Sequence, residues 1–295
     1  MYKLEIRGDL LMKRMKALEF PKSVLIETCS LCNGECKFCP YKKYRGDNSI
    51  EILPMDIIKN LLDELKVHKI ERLTLFANNE PLVDSRIVNI IRKSREILRN
   101  VEITLSTNGR LLTKDLAINL YKAGLSVLYV SIPTLDLKIY KELMGYDLDF
   151  VLNNIRDILT TDAKNMIRIA VPQTYGFSDK DFRVFNEQYG VKYSSWPIEY
   201  KKSWGIFDFE EMSGGNNLCS RVKACDRPLD QAVILADGSM VLCCRDWNRE
   251  AIIGNVKESS IEQLWKSSKM MEYQKKIIEN NYKEIKLCSD CSEAL

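Results

Sequence analysis

Cysteine, the side chain best suited to hold iron or zinc, is concentrated at two places in this sequence of 295 residues. Four of the ten cysteines follow the first apolar run: Cys29, Cys32, Cys36 and Cys39. The last three are spaced C-x3-C-x2-C, with Phe38 just before the final ligand. Three thiolates on one short loop suit a cubane iron–sulfur cluster that leaves one iron free of protein. A free iron is a place where a small molecule binds and reacts. The same cysteines also pair as Cys29-x2-Cys32 and Cys36-x2-Cys39, a spacing that serves a structural zinc. Disulfides need an oxidising compartment, and the N-terminal stretch has no apolar run fit for an export signal.

The other six cysteines are Cys219, Cys225, Cys243, Cys244, Cys288 and Cys291, with none between Cys39 and Cys219. Residues 231–244, QAVILADGSMVLCC, read as a hairpin turning at Asp237-Gly238. Residues 261–281 read as one helix, followed by Cys288-x2-Cys291. Two cysteines around a hairpin and two after a helix can converge on a four-thiolate site. Such a small unit has little core of its own, so a metal would help to hold it. Zinc and a cluster both suit those ligands.

The cysteine-free middle must position these groups. Strand-like runs at 23–29, 71–77, 101–107, 125–132, 166–173 and 191–196 alternate with helical periodicity at 54–66, 84–100, 113–123, 136–144, 149–160 and 179–188. That is the grammar of βα units around a parallel sheet. In such folds the chemistry sits at the carboxyl ends of the strands. There the sequence places Asn78-Asn79-Glu80-Pro81, then Ser106-Thr107-Asn108-Gly109, then Ser131 and Gln173. Polar βα loops and an Asn-Gly turn are also ordinary connections.

The cysteine triad with Phe38 resembles the radical S-adenosylmethionine (SAM) superfamily. The resemblance implies an α/β fold, a partial (β/α)6 TIM-like barrel, over residues 23–200 after an N-terminal extension at 1–22. It implies a 4Fe–4S cluster on Cys32, Cys36 and Cys39 whose open iron chelates SAM. Asn79-Glu80-Pro81 resembles the family's Gly-Gly-Glu-Pro motif, which meets the SAM amino group, although Asn78 and Asn79 replace both glycines. Ser106, Asn108 and Ser131 resemble positions that approach the SAM carboxylate and ribose, Phe38 one whose backbone meets the adenine, and Gln173 a further contact. Residues 201–295 resemble a SPASM/Twitch tail, a small β-hairpin plus helix cluster-binding domain. This implies one auxiliary 4Fe–4S cluster on Cys225, Cys243, Cys288 and Cys291, with Cys219 able to replace one of them.

The resemblance implies reductive cleavage of SAM to a 5′-deoxyadenosyl radical, which takes a hydrogen atom from substrate. The expected substrate is a sugar, aminocyclitol or related small polar molecule. If the auxiliary cluster takes the remaining electron, the enzyme is a dehydrogenase. If Cys244, beside a ligand, returns a hydrogen atom, it is an epimerase, with Cys244 catalytic. A peptide-modifying enzyme is the alternative, though 22 residues before the first strand are too few for a leader-binding domain. A non-catalytic zinc-binding interaction module is the third reading. A flavodoxin or ferredoxin is the expected electron donor.

Charge adds exclusions. Lys and Arg number 44 against 41 Asp and Glu, a net +3, which gives no basic surface for nucleic acid. No apolar run is long enough to span a membrane. Ten cysteines without an export signal place the chain in a reducing cytoplasm. Cys29, Cys219 and Cys244 remain as spare thiols. His68 is expected at the surface, Trp196–Trp204 as a linker or substrate mouth, and Arg245-Asp246 as a substrate contact or hairpin cap.

Overall fold

The computed structural model describes residues 19–45, 49–174, 176–197, 225–289 and 291. Cys219, residues 1–18 and 198–204, and the expected domain boundary near 200 lie outside the described residues.

Alternation of side chains builds the central sheet. Strand β3, Glu102–Thr107, reads EITLST. Its Ile103 and Leu105 are fully buried on one face, while Thr104 and Ser106 point to the other. The pattern recurs in β2 (Arg72–Thr74) and β4 (Val127–Ser131), and β1 (Ser23–Ile26), β5 (Ile167–Gln173) and β6 (Tyr193–Pro197) complete the parallel strands. The apolar faces meet helices α1 (Met55–Val67), α2 (Ile87–Ile97), α3 (Lys114–Lys122), α4 (Leu137–Met144), α5 (Leu148–Leu159) and α6 (Asp179–Tyr189) in one continuous core. Each fully buried Leu or Ile contributes about 1.5–3 kcal/mol, so this outer face holds the helices on. The inner face is mixed, with Thr74, Thr104 and Ser106 beside Leu25 and Ala170.

Side-chain caps set the helix starts. Thr113, Asp136 and Ser178 accept hydrogen bonds from the backbones of Leu116, Ile139 and Asp181. Helices α4 and α6 end at Gly145 and Gly190, whose φ of 81° and 66° is left-handed.

The tail continues the same sheet. Strands β7 (Gln231–Ile234), β8 (Ser239–Val241) and β9 (Ile252–Asn255) complete the order β6-β5-β4-β3-β2-β1-β7-β8-β9. Every pairing from β6 to β7 is parallel, and β8 and β9 are antiparallel. The sheet stays open, with β6 and β9 at its edges. The hairpin turns at Gly238 with φ 90°, as Asp237-Gly238 requires. Strand β7 pairs with β1, Val24 opposite Ala232, and Ala232, Val233 and Ile234 are wholly buried. A strand covered on both faces needs such an unbroken apolar run.

The expected single helix over 261–281 is two: α7, Ile261–Trp265, and α8, Ser268–Ile278. Ser260 and Gln263 close a capping box on α7, and Ser267 caps α8 by accepting from Met270 N–H. Serine in mid-helix offers the backbone this alternative partner, which breaks the run. Among the described residues no helix is long and apolar enough to cross a membrane.

Candidate active site

The loop after β1 carries the triad, and local hydrogen bonds shape it. Gly34 N–H points at Cys32 Sγ, 3.3 Å away. Tyr41 braces the loop: its hydroxyl accepts from Cys32 N–H at 2.9 Å and donates to the Ser30 carbonyl at 3.1 Å. Lys37 N–H reaches the Leu143 carbonyl at the end of α4, 2.8 Å away. A Cβ on Gly34 would stand 3.5 Å from Cys32 Sγ and 3.6 Å from Cys36 Sγ, so glycine keeps a cradle open between the thiols. Burial, and for Cys36 also the neighbouring Cys39 and Cys32, pushes these thiols up: Cys32 to about 12, Cys39 to about 11, and Cys36 further. Cysteines whose thiolates would be buried and repel one another fit a cationic iron–sulfur core, whose charge offsets that cost. Among the described residues, no three His, Cys, Asp or Glu side chains gather tightly enough to hold one metal ion. A cubane binds each thiolate on a separate iron and needs them further apart.

The ends of β2 and β3 lock onto this loop. Glu80 N–H donates to the Leu31 carbonyl at 3.1 Å. Its carboxylate is 2% exposed and accepts from Leu82 N–H, Thr107 Oγ1 and Asn108 N–H at 3.0, 2.7 and 2.7 Å. Glu80 is therefore turned inward, and it positions the loops. Burial outweighs those bonds and pushes its carboxyl up to about 7. Pro81 opens a short 3-10 turn, Pro81–Val83. Asn79 Oδ1 accepts from Ala77 N–H at 3.2 Å, and its Nδ2 faces Cys29 Sγ at 3.9 Å. Asn108 Nδ2 donates to Asn33 Oδ1 at 2.8 Å, joining β3 to the triad, and its carbonyl accepts from the Tyr146 hydroxyl. Phe38 and Ser131 are half-buried, and Gln173 Nε2 is held by Ser195 Oγ at 3.2 Å.

Beneath this rim the inner face of the open barrel forms a cavity of about 510 Å³ that is open to solvent. Thr74, Thr104, Ser106, Tyr129 and Ser194 line it beside the apolar Leu25, Phe76 and Ala170, with Arg72 and Arg227, and among the described residues no carboxylate does. Ser106 is the one expected cofactor contact on that wall. Thr74, Thr104 and Tyr129 were open to the sequence as the second phase of the alternation in β2, β3 and β4. His68 sits in the turn before β2, at the opposite end of the strands, stacked on Phe20 with ring centroids 3.6 Å apart.

In the tail, Cys225 lies within electrostatic reach of Cys243 and of Cys291. Cys288 stands one turn before Cys291, whose N–H donates to its carbonyl at 3.2 Å. The Tyr282 hydroxyl accepts from Cys225 N–H at 3.0 Å and fixes the entry to this group. This donor set of clustered, largely buried thiols fits an iron–sulfur cluster. Cys244 touches Cys243 and packs with Ala77 against Leu25, Val233, Leu235 and Val241. Asp246 accepts from Glu250 and Ala251 N–H, both at 2.8 Å, and so caps the bend after the hairpin. Arg245 is 6% exposed, and its backbone N–H points at Cys243 Sγ, 3.5 Å away.

Sequence reasoning missed a chain of charges joining the two cysteine groups. Glu27, fully buried, accepts from Arg45, Asn78 N–H and Ala236 N–H at 3.2, 3.1 and 3.0 Å. Arg45 also faces Glu51 at 3.5 Å, and Arg249 binds Glu51 at 2.7 Å and Asp237 at 2.6 Å. Only a charge inside the apolar run SVLIETC hinted at it.

Comparison with known proteins agrees with this layout. The model of the radical SAM superfamily matches residues 26–183, and that of an iron–sulfur cluster-binding domain, SPASM, matches 225–292. The chain is 21% identical over 268 residues to an S-adenosyl-L-methionine-dependent 2-deoxy-scyllo-inosamine dehydrogenase of Niallia circulans, covering 90% of this chain and 91% of that one. It is 31% identical over 147 residues to a probable GTP 3′,8-cyclase of Methanococcus aeolicus, but spans only 48% of that relative's length. The crystal structure of BtrN in complex with AdoMet and 2-DOIA superposes with a TM-score of 0.65 at 18% identity, over 92% of this chain and 93% of that one. At that identity the likeness is one of fold.

Proposed function

The chain belongs to the radical SAM superfamily and carries a C-terminal SPASM domain, and from that premise we propose that it is a SAM-dependent dehydrogenase of a small polyhydroxylated molecule. The two domains imply a SAM-binding 4Fe–4S cluster and auxiliary iron–sulfur binding. The observation that carries the proposal is likeness to a dehydrogenase of this class along 90% of the chain, where the cyclase likeness covers 48%. When bound, SAM and its cluster supply a hydrogen-abstracting 5′-deoxyadenosyl radical and the tail cluster a one-electron acceptor, so that a secondary alcohol loses a hydrogen atom, an electron and a proton and becomes a ketone.

The chain's own residues bind, orient and exclude water. Cys32, Cys36 and Cys39 hold the SAM-side cluster, and Cys225, Cys243, Cys288 and Cys291 hold one auxiliary cluster. Asn79, Ser106, Asn108, Ser131 and the Phe38 and Pro81 backbones border SAM, while Glu80 and Tyr146 fix that rim from behind. The hydroxyls of Thr104, Ser106, Tyr129 and Ser194 offer donors and acceptors to a polyol. A cavity of about 510 Å³ suits a small molecule better than a folded peptide. Reactive-carbon placement is what such a wall contributes to rate. A flavodoxin or ferredoxin in the reducing cytoplasm is the proposed donor.

Epimerisation is the second reading, favoured by the packing of Cys244 on the small apolar cluster that includes Leu25, a residue of the cavity wall. Turnover in heavy water, read by mass spectrometry over a panel of sugars and aminocyclitols, separates the two. A product lighter by two hydrogens, formed with 5′-deoxyadenosine, is the expected result. A product of unchanged skeleton with one deuterium, lost in Cys244→Ala, would replace dehydrogenation by epimerisation.

A further inference from the structure

One peptide unit of the cysteine loop is held at both of its polar ends. The unit joins Asn33 to Gly34, inside the Cys32-x3-Cys36 spacing. Its N–H, that of Gly34, points at Cys32 Sγ from 3.3 Å. Its carbonyl, that of Asn33, accepts from Arg110 Nη1 at 2.8 Å. A trans peptide aims its N–H and its C=O in opposite directions, and no cis bond occurs among the described residues. The guanidinium therefore holds this peptide from the side away from the sulfur.

Arg110 is exposed, yet its place is fixed from several sides. It follows β3 directly after Gly109, whose φ of 79° makes the turn, and its N–H donates to Asn108 Oδ1 at 2.9 Å. Asn108 Nδ2 donates to Asn33 Oδ1 at 2.8 Å, so Asn33 is gripped by its side chain as well as by its carbonyl. The guanidinium carbon stands 5.6 Å from the centroid of the Tyr146 ring, within reach of a cation–π contact. Tyr146 in turn meets the fully buried Tyr140 edge to face, with centroids 5.6 Å apart, and its hydroxyl donates to the Asn108 carbonyl. Core packing thus reaches the loop through Tyr146 and Arg110.

Reduction makes an iron–sulfur cluster more negative, and an N–H bond to a ligand sulfur favours that state, so cluster potentials follow such bonds. A cation on the carbonyl of the same peptide polarises it and strengthens the N–H at the other end. Groups behind a metal ligand orient it in this way, and their loss is felt at the metal. We propose that Arg110 is a positioning residue: by holding the Asn33–Gly34 peptide it sets the hydrogen bond on Cys32 Sγ and raises the reduction potential of the SAM-side cluster. The inference rests on the reading of Cys32, Cys36 and Cys39 as ligands of that cluster. It does not depend on which substrate the enzyme takes.

The test is an anaerobic redox titration of the full-length, reconstituted protein without SAM, followed by electron paramagnetic resonance. The signal lost from a Cys32→Ala/Cys36→Ala/Cys39→Ala variant belongs to the SAM-side cluster. A variant that keeps every signal and all its iron refutes the ligand reading itself. In Arg110→Met the SAM-side midpoint should fall by at least a threefold change in the reduction equilibrium, about 28 mV at about 59 mV per tenfold for one electron. The auxiliary midpoint should stay where it is. Arg110→Lys keeps a charged donor and should lie near the parent. An exposed charge acting through solvent is screened by salt, whereas a peptide held in place is not, so the shift in Arg110→Met should persist at high salt. An unchanged midpoint in Arg110→Met at full iron content overturns the inference and leaves the ligand reading standing. A shift that vanishes at high salt also overturns it, since charge alone would then suffice. Loss of the triad irons from Arg110→Met shows the residue to be structural and overturns it as well.

Discussion

Glu80 is the residue on which the rim of the site turns, because its single carboxylate answers three donors from two loops. Leaving a buried donor unanswered costs about 1–3 kcal/mol, so Glu80→Ala should destabilise the apoprotein by about 3 kcal/mol or more and abolish tight SAM binding. Denaturant titration and equilibrium binding measure the two effects. The pH dependence has a definite sign. Burial raises the Glu80 carboxyl to about 7, above its unfolded value of about 4.3. The folded apoprotein then holds that proton more tightly than the unfolded chain. The stability contributed by neutral Glu80 is full below the unfolded value and lost as pH rises through about 7. Glu80→Gln cannot ionise, so its stability should gain on the parent as pH rises across that window; parallel stability curves would refute the assignment. Removing Cys32, Cys36 and Cys39 should take away about four of eight irons and stop SAM cleavage, while the tail cluster remains. At this scale the triad was legible, because its ligand spacing is local. The inward turn of Glu80 was not, because its partners lie on distant elements.

Elements were legible where one periodicity governs them. Strands β2, β3 and β4 alternate an apolar outer face with a more polar inner one, and the second phase of that pattern foretells the hydroxyls in the cavity wall. The helix at 261–281 was misread because Ser267-Ser268 looks tolerable inside a helical pattern, whereas Ser267 acts as a cap. Capping also joins tail to barrel in a way no local pattern reveals. Glu64 of α1 accepts from Ile261 N–H at 3.0 Å and Glu262 N–H at 2.9 Å, at the start of α7. A carboxylate on two otherwise orphaned N–H groups, at the positive end of a helix, stabilises by about 1–2 kcal/mol. Glu64→Ala should cost that much in denaturant unfolding, and hydrogen exchange should quicken in the first turn of α7. Unchanged exchange there would mean that Ser260 and Gln263 suffice to hold the turn.

Over the whole molecule, barrel and tail share one sheet and one core, and a line of charges runs through their junction. Glu27 to Arg45, Glu51, Arg249 and Asp237 leads from the end of β1, past the triad loop, to the tail hairpin. Glu27 is fully buried and Arg45 is 5% exposed, so the first pair is cut off from water. Such a pair adds little net stability over an apolar substitute, yet losing one partner costs about 3–5 kcal/mol, because a buried charge is then left alone. Arg45→Met should therefore destabilise the protein on that scale, and Arg45→Met with Glu27→Gln should be the more stable of the two variants. The Glu27 carboxyl is already raised by burial and held down in part by Arg45. Without Arg45 it rises further, so the deficit of the single variant should be largest at high pH and shrink as pH falls and Glu27 takes up a proton. Denaturant unfolding of the parent and both variants across pH measures this. A deficit independent of pH, or a double variant weaker than the single one, would show that Arg45 acts through packing alone. A shrinking deficit in one cooperative transition would show that the charge under the cysteine loop is held jointly by barrel and tail, since Ala236 of the tail supplies one of the N–H groups facing Glu27.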